Sequence, residues 1–312
     1  MDIGNGFMQL KLISAQPATQ YYAWQVEVYL TQLQRLGYDL RTVHVLGGYI
    51  DDIDESWYNL YAAYREVNFF FYTYNNTEYA PAMQSDMLAQ HFHNHQYLKD
   101  CAIFFHDADF VFTKYFDFTP YLQDDKWYFS DTISYIGAEY IKSKDESILD
   151  IMCATVGISR EVVEANQDNS GGAQKLMKNV TSDYWREVNV HSVNLYDLLK
   201  KVSHIKPSEH QHGIQIWTAS MWAELWTAWK RGYDIVVHKD FDFCWATCHV
   251  SKWDDLSFFH NAGVSSGNKG LFYKAHFIND LPYGCDVNVS TDHCSSKYYE
   301  LVQSIQTKLV SL

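Results

Sequence analysis

The first third of the chain alternates short apolar runs with segments whose apolar residues recur at helical spacing. A short apolar run bounded by turn residues predicts a strand, and apolar residues three or four apart predict a helix. The pattern therefore predicts strands at 10–15, 42–46, 69–74 and 102–105, and helices at 22–36, 56–67 and 81–98. Gly37 is a suitable residue to end the first helix, and Ser56 a suitable N-cap for the second. The pair Gly47-Gly48 is expected to stop the second strand.

Strands that alternate with helices in this way predict an α/β fold. The expected architecture is Rossmann-like, with a mostly parallel central sheet and helices on both of its faces. Ligands of such sheets bind beyond the carboxyl ends of the strands.

The remainder of the chain is less regular. A further strand is predicted at 127–130, followed by a helical stretch from 135 to 203 that is interrupted at 166–172. Residues 204–213 form a polar loop, 215–231 an aromatic helix, and 235–238 and 241–246 two more strands. Residues 260–274, rich in glycine and serine, form a candidate flexible loop. Without a repeat or an obvious linker, the chain is expected to be one domain with a helical insertion at about 135–203.

Composition narrows the classes of function. Acidic residues number 38 and basic residues 24, which gives a formal net charge of −14. This charge argues against broad, nonspecific nucleic-acid binding, which needs many cations. Aromatic residues make up 17% of the chain, more than a core requires, and surplus tyrosine and tryptophan are typical of carbohydrate or nucleobase sites. An aromatic-rich core is the alternative.

The absence of a predicted membrane span and signal peptide bears on the location of the protein and on the redox state of its cysteines. We expect no membrane span, because no apolar stretch has the length to cross a bilayer, and no signal peptide at residues 1–6. These expectations favour the cytoplasm, where six scattered cysteines would be reduced. A zinc site is an alternative for the cysteines and histidines near the end of the chain, although their spacing fits no common zinc pattern. These residues are Cys244, Cys248, His249, Cys285, His293 and Cys294.

The candidate chemistry centres on Asp107 and Asp109, which directly follow the fourth predicted strand. Two carboxylates at the end of a buried strand are costly unless a cation pairs with them. Their oxygen atoms suit Mn²⁺ or Mg²⁺, ions that commonly also hold a substrate phosphate. The Asp-x-Asp sequence therefore predicts a metal and diphosphate site, with a solvated turn as the alternative.

A second candidate segment reads His260-Asn261-Ala262-Gly263. A neutral imidazole at His260 could complete the metal site. Lys269 and Lys274 follow, and their ammonium groups could neutralise a diphosphate.

Asp-x-Asp after a nucleotide-binding half, followed later by His-x-x-Gly and a lysine, resembles the GT-A nucleotide-sugar glycosyltransferases. The His-x-x-Gly segment is similar to that of bacterial retaining galactosyltransferases. Three further segments look similar to uncharacterised glycosyltransferase-like proteins of tailed phages: Ser130-Asp131-Thr132, 171–174 (Gly-Gly-Ala-Gln) and 217–223 (Trp-Thr-Ala-Ser-Met-Trp-Ala).

The resemblance implies roles for individual residues. Residues 1–113 would be the nucleotide-binding half and 114–312 the acceptor-side half. Asp107 would contact the ribose and the metal, and Asp109 and His260 would ligate Mn²⁺ or Mg²⁺. The base and ribose of a donor, most simply a UDP-sugar, would be held by Ala15, Gln16 and Tyr72.

Several other residues are candidates on chemical grounds. The pair Gly171-Gly172 would let the backbone approach a ligand, and Gln174 would bond sugar hydroxyls, with a turn between helices as the alternative. Glu224 could be a catalytic base, with an exposed helical glutamate as the alternative, and Asp131 is a second candidate near the acceptor.

A further pair, His91 and His95, could share a metal, but a solvated helix face is the simpler interpretation. The loop histidines His204, His210 and His212 are expected on the acceptor side.

The leading hypothesis is a metal-dependent glycosyltransferase that moves a sugar from a nucleotide sugar to an acceptor hydroxyl. If the phage similarity holds, the protein acts in the host cytoplasm and the acceptor is a hydroxymethylated base in DNA, contacted by Lys200, Lys201 and Lys206. A glycan or protein acceptor is the competing possibility. A noncatalytic carbohydrate- or nucleotide-binding module and a nucleotidyltransferase are alternatives from other classes.

Overall fold

Among the residues that the structure describes, seven strands form the main sheet and three form a smaller one. A computed structural model describes residues 8–74, 78–205 and 213–309, but not the side chains of 203–205. The strands are β1 (Gln9–Pro17), β2 (Val43–Tyr49), β3 (Asn68–Thr73), β4 (Cys101–His106), β5 (Phe110–Phe112), β6 (Trp127–Asp131), β7 (Gly171–Met177), β8 (Ile235–Val237), β9 (Phe243–Trp245) and β10 (Phe258–His260).

The main sheet has the strand order β3-β2-β1-β4-β7-β6-β8. Strands β1, β2 and β3 are parallel neighbours, and so are β6 and β8. Strand β7 is antiparallel to both β4 and β6. The prediction of an α/β fold with a mostly parallel central sheet is confirmed. The smaller sheet has the order β5-β10-β9.

The helices among the described residues are α1 (Gln20–Arg35), α2 (Glu55–Ala63), α3 (Ala82–Asn94), α4 (Ile133–Ile136), α5 (Ala138–Lys144), α6 (Glu146–Val156), α7 (Arg160–Ala165), α8 (Ser182–Ile205), α9 (Ala219–Lys230), α10 (Ser251–Asp255) and α11 (Cys294–Gln303). Helix α1 is followed by Gly37 at φ +79°, a conformation that glycine adopts without steric cost. In the described parts of the chain, no helix has both the length and the apolar character needed to cross a membrane.

The N-cap of α2 and the end of β2 differ from the prediction. Asp54 is the N-cap of α2, since its carboxylate accepts from the main-chain N–H of Ser56. Strand β2 continues through Gly47 and Gly48. A Cβ on Gly47 would lie 2.9 Å from the Phe71 ring, so this glycine permits close packing and does not end the strand.

The predicted helical insertion contains a strand. Residues 171–177 form β7 between two antiparallel neighbours; they are neither a turn between helices nor part of a helix. The predicted polar loop begins later than expected, because α8 extends to Ile205. Lys206, His210 and His212 lie outside the described residues.

The chain divides into two compact units, each assembled from separate segments. Unit 1 comprises the described parts of 1–10, 74–105 and 119–239, and unit 2 those of 11–73, 106–118 and 240–312. The expectation of a single domain stays a prediction.

Each unit has its own aromatic core. Trp24 and Trp57 are fully buried in unit 2, and the fully buried tryptophans of unit 1 are Trp127, Trp185, Trp222 and Trp226. Much of the aromatic surplus in the composition is therefore core.

Candidate functional site

The Asp-x-Asp segment lies where the fully buried strand β4 ends. His106, the last residue of the strand, is buried, and its ring packs 4.4 Å from that of Tyr29 and 4.7 Å from that of Phe110. Burial lowers the pKa of His106 to about 4, so the ring is neutral near pH 7. Its Nδ1–H donates to the main-chain oxygen of Asp107 at 2.8 Å, which fixes the start of the Asp-x-Asp turn.

Asp109 is the buried member of the carboxylate pair, with 6% of its surface exposed. Its Oδ1 lies 3.1 Å from Nε2 of His260, and its Oδ2 pairs with the Lys274 ammonium group. Burial opposes ionisation of Asp109, but Lys274 and His260 outweigh it and hold the pKa of the carboxyl group well below its usual range. The buried carboxylate is therefore ionised, and it lies between the Lys274 ammonium group and the His260 ring.

His260 brings the third candidate ligand from strand β10. It lies opposite Phe110 in the antiparallel pairing of β10 with β5, and its ring stacks on that of Trp245 at 6.0 Å. Burial lowers the pKa of His260, but the charges of Asp109 and Asp107 outweigh this effect and raise it overall. Asp107 is the more exposed carboxylate, and its Oδ2 lies 3.6 Å from His260 Nε2.

One ligand atom from each of Asp107, Asp109 and His260 lies within 4.8 Å of the others. The structure thus brings together the three residues that the sequence suggested as metal ligands. Two carboxylate oxygens and one imidazole nitrogen fit Mn²⁺ or Mg²⁺, with Mn²⁺ the better match for the nitrogen. The negative charge of the carboxylates would favour a divalent cation here, beside the ammonium group of Lys274.

The predicted nucleotide contacts lie at the ends of parallel strands in unit 2. Gln16 pairs in register with Gly47, and Tyr72 with Gly48. Gln16 is buried, and its Nε2 donates to the main-chain oxygen of Leu46 at 3.1 Å. Ala15, its neighbour in β1, is fully buried. The contacts of these residues with a base or ribose stay a prediction.

The two predicted diphosphate lysines differ in position. Lys274 contacts Asp109, whereas Lys269 is exposed and lies in a segment without regular secondary structure. Lys274 is therefore the lysine that the fold places at the carboxylates.

Sequence reasoning missed the tyrosines around Asp109. Burial raises the pKa of Tyr22 to about 12, with contributions from Tyr21 and from the charges of Asp109 and Asp107. Tyr298 is fully buried, and its pKa is raised by burial and then by the charge of Asp109. Tyr22 lies in the first turn of α1, the helix that follows β1, and this position was the available signal.

The acceptor-side candidates belong to unit 1 and are described separately. Asp131 is exposed, and its carboxylate accepts from the main-chain N–H of Ile133 at the start of α4. Glu224 is buried at 5% exposure and forms an ion pair with the equally buried Lys175. The alternative of an exposed helical glutamate at this position is therefore wrong.

The glycine pair is needed for packing within unit 1. A Cβ on Gly171 would lie 2.9 Å from the main-chain oxygen of Ser130, and one on Gly172 would meet the end of the Met221 side chain. Gln174 is buried in the same strand, at 1% exposure.

The other proposed metal ligands do not form a comparable site. All six cysteines are free thiols, and within residues 8–74, 78–205 and 213–309 no zinc-type set gathers three ligand atoms within 4.8 Å. His91 is fully buried, with its ring 4.6 Å from that of His95. The solvated helix face expected there is wrong for His91.

No protein-family model and no curated protein sequence matches the chain. Among solved structures, it is similar to the apo form of the bifunctional glycosyltransferase WbbM, at 9% identity and a TM-score of 0.47, with 98% of this chain and 51% of that chain covered. It is also similar to the galactosyltransferase LgtC in complex with donor and acceptor sugar analogs, at 13% identity and a TM-score of 0.43, covering 96% of this chain and 97% of that one.

Mouse xyloside xylosyltransferase 1 in its apo form is a third similar structure, at 11% identity and a TM-score of 0.36, with coverages of 82% and 98%. The chain spans about half the length of WbbM. All three proteins are glycosyltransferases by name.

Proposed function

We propose that the protein is a metal-dependent GT-A-type glycosyltransferase that moves a sugar from a nucleoside-diphosphate sugar to an acceptor hydroxyl. The observation that carries the proposal is the group of Asp107, Asp109 and His260 within 4.8 Å. Lys274 adds a positive charge beside it. A divalent ion and a lysine at the end of a buried strand are suited to a diphosphate.

The roles of the residues follow from their positions. Asp109 and His260, with Asp107, would hold the ion, which when bound neutralises charge on the leaving diphosphate. Lys274 would add a second positive charge for the phosphates. Asp107, the more exposed carboxylate, also suits a ribose contact. Ala15, Gln16 and Tyr72 would hold the base and ribose of a UDP-sugar.

The acceptor-side assignments are proposals of the same kind. Glu224 or Asp131 would take the proton of the acceptor hydroxyl, and the strand that contains Gly171, Gly172 and Gln174 would contribute sugar contacts. For the acceptor, we propose a glycan, a protein or a hydroxymethylated base in DNA. The net charge of −14 weighs against DNA as the acceptor. Among the lysines proposed to contact DNA, Lys200 has its ammonium group over the Tyr196 ring, 5.1 Å from the ring centroid.

The first test is a thermal-shift panel of UDP-glucose, UDP-galactose, UDP-N-acetylglucosamine and GDP-mannose, with and without Mn²⁺. A donor at about one hundred times its Kd stabilises the native state by about 2.7 kcal/mol. We expect a shift that requires Mn²⁺ in the wild type and is lost in Asp109→Asn. The matched control is Asp286→Asn, which changes an exposed aspartate of unit 2. Equal binding to Asp109→Asn and wild type would contradict the proposal.

The second test separates enzyme classes by their products. A glycosyltransferase releases a nucleoside diphosphate with every acceptor, together with free sugar when water is the acceptor, whereas a nucleotidyltransferase releases pyrophosphate. Binding without any turnover on glycan, protein and hydroxymethylated-DNA acceptors would favour the noncatalytic module.

A further inference from the structure

Asn261 is a buried polar residue beside the candidate metal ligands. Only 1% of its surface is exposed, and neither its Oδ1 nor its Nδ2 has a hydrogen-bond partner among the described residues. Its main-chain N–H donates to the main-chain oxygen of Asp109 at 2.9 Å. Asn261 is thus fixed against Asp109 by its backbone, while its carboxamide group makes no hydrogen bond within the described protein.

Two further atoms near Asp109 lack partners. Nδ1 of His260 and the hydroxyl of Tyr298 are buried without a hydrogen bond among the described residues. Buried polar groups in folded proteins are almost always hydrogen-bonded, because each unpaired group forfeits its hydration. Such groups on three residues near Asp109 suggest that a molecule other than the chain completes their hydrogen bonds.

The chemistry of a carboxamide limits what that molecule can offer. The carboxamide oxygen only accepts and the NH₂ group only donates. A phosphate oxygen would satisfy the NH₂ group and leave the oxygen unpaired, and a metal ion would do the reverse. Two adjacent hydroxyls satisfy both, since one donates to Oδ1 and the other accepts from Nδ2.

We propose that Asn261 binds a vicinal pair of hydroxyls on the nucleotide-sugar donor, an inference that rests on the proposed function. Two parts of such a donor carry this group, the ribose and the transferred sugar. In either case Asn261 would distinguish the donor from a deoxy analogue, because loss of one hydroxyl leaves half of the buried carboxamide unpaired.

The experiment compares wild type with Asn261→Ala by calorimetric titration in Mn²⁺, using UDP-glucose, UDP and 2′-deoxy-UDP. Loss of the two hydrogen bonds is expected to weaken binding about tenfold or more. If the hydroxyls belong to the transferred sugar, only UDP-glucose binds the variant more weakly. If they belong to the ribose, UDP-glucose and UDP both weaken, and the wild-type preference for UDP over 2′-deoxy-UDP disappears in the variant. Both results support the proposal.

The control is Ser14→Ala, which removes another buried hydroxyl without a partner among the described residues, from within strand β1. This variant should bind all three compounds as the wild type does. If Asn261→Ala binds them unchanged and unfolds more easily, the carboxamide holds buried water and the inference is wrong. If the wild type binds no nucleotide sugar of the thermal-shift panel in Mn²⁺, the proposed function fails as well, so the two failures are distinguishable.

Discussion

The ion pair of Lys175 and Glu224 gives a prediction that separates a structural role from a catalytic one. Both side chains are almost fully buried, at 5% and 7% exposure. Replacing Glu224 by glutamine keeps the shape of the side chain but leaves the Lys175 ammonium group buried without its counter-charge. Breaking a buried pair in this way costs about 3–5 kcal/mol, whereas replacing both partners by apolar residues is often neutral.

We therefore expect Glu224→Gln to lose about 3 kcal/mol or more of unfolding free energy, and the double variant Lys175→Met/Glu224→Leu to regain most of it. The assay is urea unfolding of both, compared with wild type. Lys297→Met serves as the control, because it breaks the exposed pair of Lys297 with Glu300, for which a loss below about 1 kcal/mol is expected. A loss in Glu224→Gln no larger than that of Lys297→Met would refute the reasoning.

Activity measured on the same variants then tests the role of Glu224 as a base. The double variant restores the fold without a carboxylate at position 224. If Glu224 is the base, kcat stays low in this variant although stability returns. Recovery of kcat together with stability would show that the carboxylate only balances the charge of Lys175.

Two further predictions concern the packing of each unit. Gly171→Ala should lose about 1–3 kcal/mol of unfolding free energy, because the new methyl group meets the main-chain oxygen of Ser130. The control is Gly213→Ala, which has nothing within 4 Å of the added atom and should unfold as the wild type does. Equal unfolding midpoints for the two variants would contradict this account. Glu27→Ala should lose about 3 kcal/mol or more of unfolding free energy. The buried carboxylate accepts hydrogen bonds from Tyr283 (2.6 Å), from Thr307 (2.7 Å) and from the main-chain N–H of residue 308 (2.6 Å). Faster proteolysis after residue 300 is the second readout, and an unchanged cleavage pattern would argue against the role of Glu27 as an anchor.

The part of the site that the sequence predicted depends on an uninterrupted apolar run. Strand β4 is buried along its whole length, so the position of Asp107 and Asp109 at its end could be inferred without any tertiary information. His260 was found in the same way, since it ends the short apolar strand β10. In both cases the polar residues lie at the end of a strand or just beyond it.

Most of the parts that were missed depend on contacts between distant segments, and the burial of Glu224 is the exception. Strand β7 was not predicted, because a glycine pair in a helical pattern looks like a helix break. The reason for Gly171 is its close packing against residues of β6, which the local sequence does not show. The burial of Glu224 had a local signal, because α9 carries apolar residues on all sides, a pattern of a buried helix. No local pattern shows the pairing of Lys274 with Asp109 or the unpartnered carboxamide of Asn261.

The pairing of β5 with β10 also determines when the candidate metal site can form during synthesis. His260 follows Asp109 by 151 residues along the chain, and their contact depends on a strand that is made long after β4. At about 5–20 residues per second, the ribosome needs about 8–30 s to make the intervening chain. During that interval the two carboxylates exist without their imidazole neighbour, so a nascent chain that ends before residue 258 has at most two of the three ligands.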